Sequence, residues 1–331
     1  MAVHPSVYRP KIYLTRPLPP AVMERLQRET DLAWNHDDRI ATPQEMMTNL
    51  RERDALVCTA ADKIGAEIMA AAPGLKVIAN FGVGFNHIDL AAASARKIPV
   101  TNTPGVLTDT TADLAFALLL NAARRVGEGE RLVRARRWAG WGPMQLLGAD
   151  VSGATIGIIG LGRIGRAVAR RAQGFDMPVI YWNRTRLAEA EEAAAKVAYR
   201  SLENLLRESD FVSLHVAYTP QTHHLLGEAQ FALMKPTAFL INTTRGAVID
   251  EAALGRALRE KRLAGAALDV FEREPELDPQ LYPLENAVLA PHLGSATIGT
   301  RTKMGMMAVD NLLAACAGQR PPHCVNPEVF G

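Results

Sequence analysis

Cysteine is scarce in this 331-residue chain: Cys58, Cys316 and Cys324 are the only three, with neither CxxC spacing nor an obvious pair. That excludes a disulfide framework and a zinc knuckle, and fits a reducing compartment. Long apolar runs are missing too. The longest charge-free ones, such as Leu114–Leu120, fall far short of the roughly 20 residues that a membrane span needs. The opening stretch, MAVHPSVYRPKIYLTRPLPP, is broken by prolines and charges and has no signal-peptide core. A cytoplasmic location without membrane contact is therefore expected. Neither sign of charge dominates: 37 basic against 35 acidic residues leave +2, too balanced for a nucleic-acid or membrane-surface partner. No HxxH or HxxxH pair suggests a metal, and no repeat or low-complexity tract stands out. Lysine is rare beside arginine, so one arginine in isolation carries little information.

What is present is α/β alternation. The length suggests two domains, and 48% apolar with 22% charged residues is an ordinary globular balance. Short, nearly continuous apolar runs read as parallel strands covered on both faces. The first series is KIYLT (11–15), ALVCT (55–59), KVIAN (76–80) and PVTN (99–102). The second is TIGIIG (155–160), PVIYW (178–182), FVSLH (211–215), AFLIN (238–242), AALDV (266–270) and AVLA (287–290). Helices are expected between them, with one long helix over about 110–137 separating the series and a final one over 295–317.

Ile156–Gly165 reads IGIIGLGRIG. Gly160, Gly162 and Gly165 form GxGxxG directly after a strand and at the opening of a helix, the context of a dinucleotide-binding loop. Arg163 and Ile164 complete its first helical turn, whose N–H groups face a pyrophosphate. An NAD-selective site places an acid near the end of the next strand. Here that position is Asn183, followed by Arg184, Thr185 and Arg186. Two guanidinium groups and a hydroxyl suit a 2′-phosphate. NADP(H) is expected to be preferred, with NAD(H) a second option.

Three more segments lie at expected strand ends: INTTRG with Arg245, ALDVFEREP with Asp269 and Glu274, and LAPHLGS with His292. Each has an ordinary reading, as a helix-cap ion pair, a loop acid or a satisfied loop histidine. Together they suit reduction of a 2-keto acid. A cation holds the carboxylate and polarises the ketone, a histidinium delivers a proton, and a carboxylate orients the imidazole. His223 and His224 fall in a connecting segment and read as solvated.

The combination resembles the D-isomer-specific 2-hydroxyacid dehydrogenases, and among them the glyoxylate/hydroxypyruvate reductases. The likeness runs from about Lys11 to Asn326 and rests on NFGVGFNHID (80–89), TNTPGVLTDTTADLAFALLL (101–120), GLGRIG, NTTRGAVID (242–250), ALDVFEREP and PHLGS (291–295). It implies substrate carboxylate and carbonyl binding by Arg245, the acid/base role for His292 and its carboxylate partner in Glu274. It also implies substrate-binding amides at Val83 and Gly84, and cofactor contacts by Thr111, Thr243, Thr244, Asp269 and Gly294. FNHID departs from the YDNID of many relatives, which implies a different pocket wall at Asn86 and His87, although packing or solvent exposure is the first reading of His87.

The implied fold is two doubly wound parallel-sheet α/β domains. A Rossmann cofactor domain (103–290) is inserted into a smaller flavodoxin-like substrate domain (1–102 with 291–331), with the active site in the cleft between them. A homodimer through the 110–148 region is implied as well, with the partner subunit's Trp141 reaching the substrate pocket. The expected reaction converts a small 2-keto acid, glyoxylate or hydroxypyruvate, to the D-2-hydroxy acid. The alternatives are 2-ketogluconate reduction and a non-enzymatic dinucleotide-sensing, corepressor-like protein. Oxidation of formate is disfavoured because Glu274 stands where the formate enzymes have Gln.

Overall fold

Strand faces explain the unbroken apolar runs. The computed structural model describes residues 8–331, so the first seven residues of the opening stretch lie outside the described ones. The chain divides into two units: 1–107 with 296–331, and 108–295.

The first unit contains β1 (Lys11–Leu14), α1 (Pro20–Glu29), β2 (Asp31–Trp34), α2 (Pro43–Leu50), β3 (Ala55–Thr59), α3 (Ala66–Ala70), β4 (Val77–Phe81), α4 (Leu90–Ala95) and β5 (Val100–Thr101). Its five strands are all parallel, in the order β2-β1-β3-β4-β5. Successive residues of β1 go to opposite layers, Tyr13 into one core, and Ile12 and Leu14 into the other. Both layers are apolar, so no polar alternation marks the strand. Sequence reading missed β2, an edge strand that starts at exposed Asp31 and is only half-buried thereafter. Helix starts follow local chemistry. Thr42 and Glu45 form a reciprocal capping box on α2, and the Asp89 side chain caps α4.

The second unit runs α5 (Thr108–Arg124), α6 (Val126–Arg134), β6 (Ile156–Ile159), α7 (Arg163–Gln173), β7 (Val179–Trp182), α8 (Glu189–Ala195), β8 (Ala198–Tyr199), α9 (Leu202–Glu208), β9 (Phe211–Leu214), α10 (Glu228–Phe231), β10 (Phe239–Asn242), α11 (Glu251–Arg259), β11 (Gly265–Leu268) and β12 (Ala287–Leu289). The last helix, α12 (Ile298–Cys316), belongs to the first unit and packs on its strands. The second sheet is wholly parallel, in the order β12-β11-β10-β9-β6-β7-β8. Phe239 and Ile241 of β10 enter one core with α5 and α7, while Leu240 enters the other with α9 and α11. Each such fully buried side chain stabilises the fold by about 1.5–3 kcal/mol.

Two expectations about the helices and boundaries need correction. The long helix is two helices, because Arg125 adopts left-handed φ 52° and the Gly127 N–H turns to the Asn121 side chain. The unit boundaries lie five residues later than the sequence suggested, after 107 and after 295. The reasons are local: α5 begins at Thr108, and Leu293 and Gly294 are bonded to Asp269. Among the described residues, no helix is long and apolar enough to cross a membrane.

Candidate active site

Parallel pairing puts the carboxyl ends of the second sheet in one row. Trp182 pairs with Ile159, Ile159 with Leu214, Leu214 with Asn242, Asn242 with Leu268, and Leu268 with Leu289. At about 4.8 Å per strand, β6 to β12 spans roughly 19 Å. Segments more than a hundred residues apart in sequence, after β6 and after β12, therefore emerge along the same edge of the sheet. Strand order reverses at β6, the switch point where open α/β sheets bind ligands.

The glycine loop leaves β6 at that point. Gly160 has φ +100°, and a Cβ there would lie 2.6 Å from the Val216 amide nitrogen, so only glycine fits. A Cβ on Gly165 would lie 2.3 Å from the Gly160 carbonyl, so this turn of α7 sits directly on the loop. Gly162, by contrast, would meet nothing within 4 Å. It precedes α7, whose N-terminus has no side-chain cap and no acid in its first turn. Open space before uncapped N–H groups at Arg163, Ile164 and Gly165 fits a pyrophosphate.

Behind the loop, the His215 N–H donates to the Ile159 carbonyl at 2.7 Å, and its Nε2 lies 2.8 Å from Ser213 Oγ. Desolvation pulls His215 down to about 3. The native state thus refuses a proton that the unfolded chain accepts near 6.5. The associated stability is complete above that value and is lost as pH falls toward 3. Acidifying from pH 7 to 5 is expected to cost about 2 kcal/mol through this histidine. Denaturant melts of His215→Gln should show a shallower loss over that range, and parallel curves would refute the assignment.

At the end of β7 the arrangement departs from expectation. Asn183 Oδ1 accepts the Leu161 N–H at 2.7 Å, so Asn183 braces the glycine loop. Arg186 is bidentate on Glu192, at 2.8 Å to each oxygen, and lies over the Tyr199 ring. Arg186 and the Tyr181 hydroxyl together hold the Glu192 carboxyl down to about 2. Arg186 is therefore already committed. Arg184 and Thr185 are exposed, and Arg184 forms no ion pair among the described residues.

Arg245 follows β10. Asn242, fully buried, donates from Nδ2 to the Arg245 carbonyl at 3.0 Å, and its Oδ1 accepts from the Thr244 N–H and hydroxyl. Nothing in the spacing of the sequence pointed to Asn242. Thr243 keeps a buried hydroxyl with no hydrogen-bond partner among the described residues. Gly246 lies so close to the 271–272 backbone that a Cβ would sit 1.9 Å from the Phe271 carbonyl carbon. This contact fixes the Arg245 turn against the loop that carries Glu274. Burial pulls the Arg245 guanidinium below its ordinary pKa, and the Glu274 carboxylate pushes back.

The Glu274 carboxylate spans two partners, with Oε1 accepting the Phe271 N–H at 3.0 Å and Oε2 lying 2.8 Å from His292 Nδ1. Burial raises its pKa, but the bond and charge of His292, the Phe271 N–H and the Arg245 cation together more than offset that, and the carboxyl ends below the usual range. Glu251, also unforeseen, accepts the Glu272 and Asp278 N–H groups and so supports the same loop. His292 adopts left-handed φ 55°, held by Asp269. The buried Asp269 carboxylate accepts the Leu293 N–H at 2.6 Å and the Gly294 N–H at 2.8 Å, and its carbonyl accepts the His292 N–H at 2.9 Å. Both of its oxygens thus hold the histidine loop, and burial still pushes its pKa up. Thr111 donates to the Gly294 carbonyl at 3.1 Å.

In the first unit, Val83 and Gly84 follow β4. Asn102 and Asn80 donate to their carbonyls at 2.8 and 3.0 Å. Trp141, in the segment after α6, is 83% exposed, and Trp138, Met144 and Leu147 around it are exposed as well.

Comparison with known proteins agrees with this geometry. Residues 116–294 match the family model for the D-isomer specific 2-hydroxyacid dehydrogenase NAD binding domain. A glyoxylate reductase of Thermococcus litoralis is 47% identical over 326 residues, 97% of this chain and 98% of the relative. One from Korarchaeum cryptofilum is 48% identical over 323 residues, covering 97% of each. Among solved structures, a putative D-isomer specific 2-hydroxyacid dehydrogenase from a Polaromonas species superposes with TM-score 0.90 at 40% identity, covering 96% of this chain and all of the other. The NADPH-dependent glyoxylate/hydroxypyruvate reductase of Sinorhizobium meliloti, in complex with NADP and malonate, gives 0.86 at 34% identity, covering 97% and 98%. With its Rossmann sheet, its uncapped glycine loop and these near full-length relatives, the chain belongs to the D-isomer-specific 2-hydroxyacid dehydrogenase family and is an NAD(P)-dependent oxidoreductase.

Proposed function

We propose that the protein reduces a small 2-keto acid, glyoxylate first and hydroxypyruvate next, to the D-2-hydroxy acid, with NADPH preferred over NADH. The observation that carries this reading is the His292–Glu274 pair at 2.8 Å, with the Arg245 cation close enough to feel the Glu274 charge. The nicotinamide, when bound, supplies the hydride. Because Nδ1 of His292 faces Glu274, Nε2 is the nitrogen that gives a proton to the ketone oxygen, and Glu274 stabilises the imidazolium before transfer. Arg245 binds the substrate carboxylate and polarises its carbonyl. The family resemblance assigns substrate binding to the Val83 and Gly84 amides as well. Asp269 acts through the backbone of the histidine loop. Gly160, Gly162, Gly165 and the first turn of α7 hold the pyrophosphate, and Thr111, Thr243, Thr244 and Gly294 line the cofactor.

The same reading includes a cytoplasmic homodimer. An 83% exposed tryptophan among exposed apolar neighbours is the kind of surface that a partner covers, and the partner subunit's Trp141 would then border the substrate.

Cofactor preference provides the test. Arg184 is the cation left for a 2′-phosphate, and Asn183 stands at the strand end where an NAD-selective site has an acid. We expect kcat/KM for NADPH to exceed that for NADH by about tenfold or more. Arg184→Ala should erode the preference through the KM and the Kd of NADPH, leaving NADH nearly untouched. Arg186→Ala should do less, because Glu192 already holds that side chain. Rising salt should weaken the preference. Equal catalysis with NADH at low salt would overturn the cofactor assignment, and no turnover of any ketoacid with either cofactor would overturn the reductase itself.

A further inference from the structure

Away from Arg245, Glu274 and His292, three donor side chains converge on the surface of the second unit. His223, His224 and Glu272 each present one ligand atom, all within 4.8 Å of one another. The two imidazoles stack, with centroids 4.0 Å apart and planes 18° apart, and His224 Nε2 lies 3.0 Å from Glu272 Oε1. With bonds of about 2.1 Å, a tetrahedral zinc ion needs an N···O edge of about 3.4 Å. The pair has only a few tenths of an ångström to open.

The backbone prepares this geometry. The His223 N–H donates to the Thr219 carbonyl at 3.0 Å and the His224 N–H to the Ala247 carbonyl at 2.8 Å. His224 itself takes left-handed φ 47°, a conformation uncommon for a residue other than glycine. On the facing side, the Glu272 N–H is held by the Glu251 carboxylate. The His223 ring also meets the Tyr218 hydroxyl, 3.4 Å from its Nδ1, so an ion would draw on Nε2 of His223 and turn that ring out of the stack.

We propose that His223, His224 and Glu272 form a surface site for a divalent transition cation of the zinc class, with water completing its coordination. Two imidazole nitrogens and one carboxylate oxygen suit Zn²⁺, whereas Mg²⁺ and Ca²⁺ prefer all-oxygen sets. The occupied site clamps the segment around 218–224 to the loop that leads, two residues on, to Glu274. Neither histidine belongs to the reductase machinery, so the proposal stands apart from the substrate assignment.

Titration calorimetry of the tag-free, metal-stripped full chain with Zn²⁺ tests it. One site per chain in the micromolar range is expected, and Co²⁺ in its place should give visible absorption bands. His223→Gln, His224→Gln and Glu272→Gln should each weaken zinc binding about tenfold to a hundredfold, with metal-free melting curves unchanged. The Co²⁺ bands should vanish in His224→Gln. His292→Gln, which removes the imidazole of the reductase pair, should leave this site intact, and millimolar Mg²⁺ should not compete. No saturable binding below about 100 μM Zn²⁺, binding that survives His224→Gln, or binding abolished by His292→Gln would overturn the proposal.

Discussion

Replacing His292 by Ala is expected to lower kcat for ketoacid reduction about 10²-fold or more, with ketoacid KM changed far less. The variant removes the proton source but leaves the Arg245 cation and the glycine loop in place. Its fold should survive, because Asp269 holds the 292–294 segment through main-chain N–H groups that alanine retains at 292. Glu274→Gln separates charge from geometry. A glutamine can still meet Nδ1 of His292, but a neutral amide no longer favours the imidazolium. The limb of the rate profile that reports the proton donor should therefore move to lower pH. The sign is consistent with Glu274 itself, whose pKa His292 lowers. The pair's stabilisation is present above the ordinary glutamate range and is lost as pH falls through the lowered value. Near wild-type turnover in His292→Ala across the pH range would remove the histidine from the role. An unmoved profile in Glu274→Gln would remove its partner.

Much of this fold could be read from sequence because its sheets are buried on both sides. A strand such as FLIN in β10 is apolar at its first three positions, since Phe239 and Ile241 face one helical layer and Leu240 the other. Where that condition fails, the signal fades. Edge strands β2 and β8 are four and two residues long and only partly buried, and they escaped notice. The break between α5 and α6 was hidden for a different reason. Arg125 is not a residue that announces a left-handed turn, and the cause is a side-chain bond from Asn121 that no local propensity encodes.

The site divides along similar lines. Gly160 was legible because a strand-to-helix turn this tight admits no side chain. Arg245, Glu274 and His292 were legible as residue types at the ends of adjacent parallel strands. Asn242, Glu251 and Ser213 were not. They act on backbone atoms or on a buried ring, and such contacts have no spacing signature. The Arg186–Glu192 pair was not legible, because Glu192 comes back from α8 after a turn whose direction only the fold fixes. For Asp269, which family resemblance places near the cofactor side or the histidine, the bonds to the N–H groups of Leu293 and Gly294 have no spacing signature either.

Arg245→Lys is expected to lower kcat/KM for glyoxylate about 10²- to 10³-fold, equivalent to roughly 3–4 kcal/mol of transition-state stabilisation. Part of the loss is geometric. A guanidinium presents two parallel N–H bonds to a carboxylate, and an ammonium is a single point charge on a flexible stem. Part is electrostatic. Burial already pulls the Arg245 pKa down, yet arginine starts high enough to stay charged at neutral pH. A lysine in the same desolvated position starts lower and gives up its proton more readily. The Asn242 bond to the Arg245 carbonyl is to the main chain and survives the exchange, so the turn should keep its shape. KM should therefore rise strongly, kcat should fall with it as carbonyl polarisation is lost, and thermal stability should move little. Dissociation constants for NADPH, measured by fluorescence titration, should stay within about twofold of wild type, because Arg245 leaves β10, two strands away from the glycine loop that follows β6. A variant that loses NADPH binding while keeping its glyoxylate KM would place Arg245 on the cofactor side and leave the substrate carboxylate to other groups.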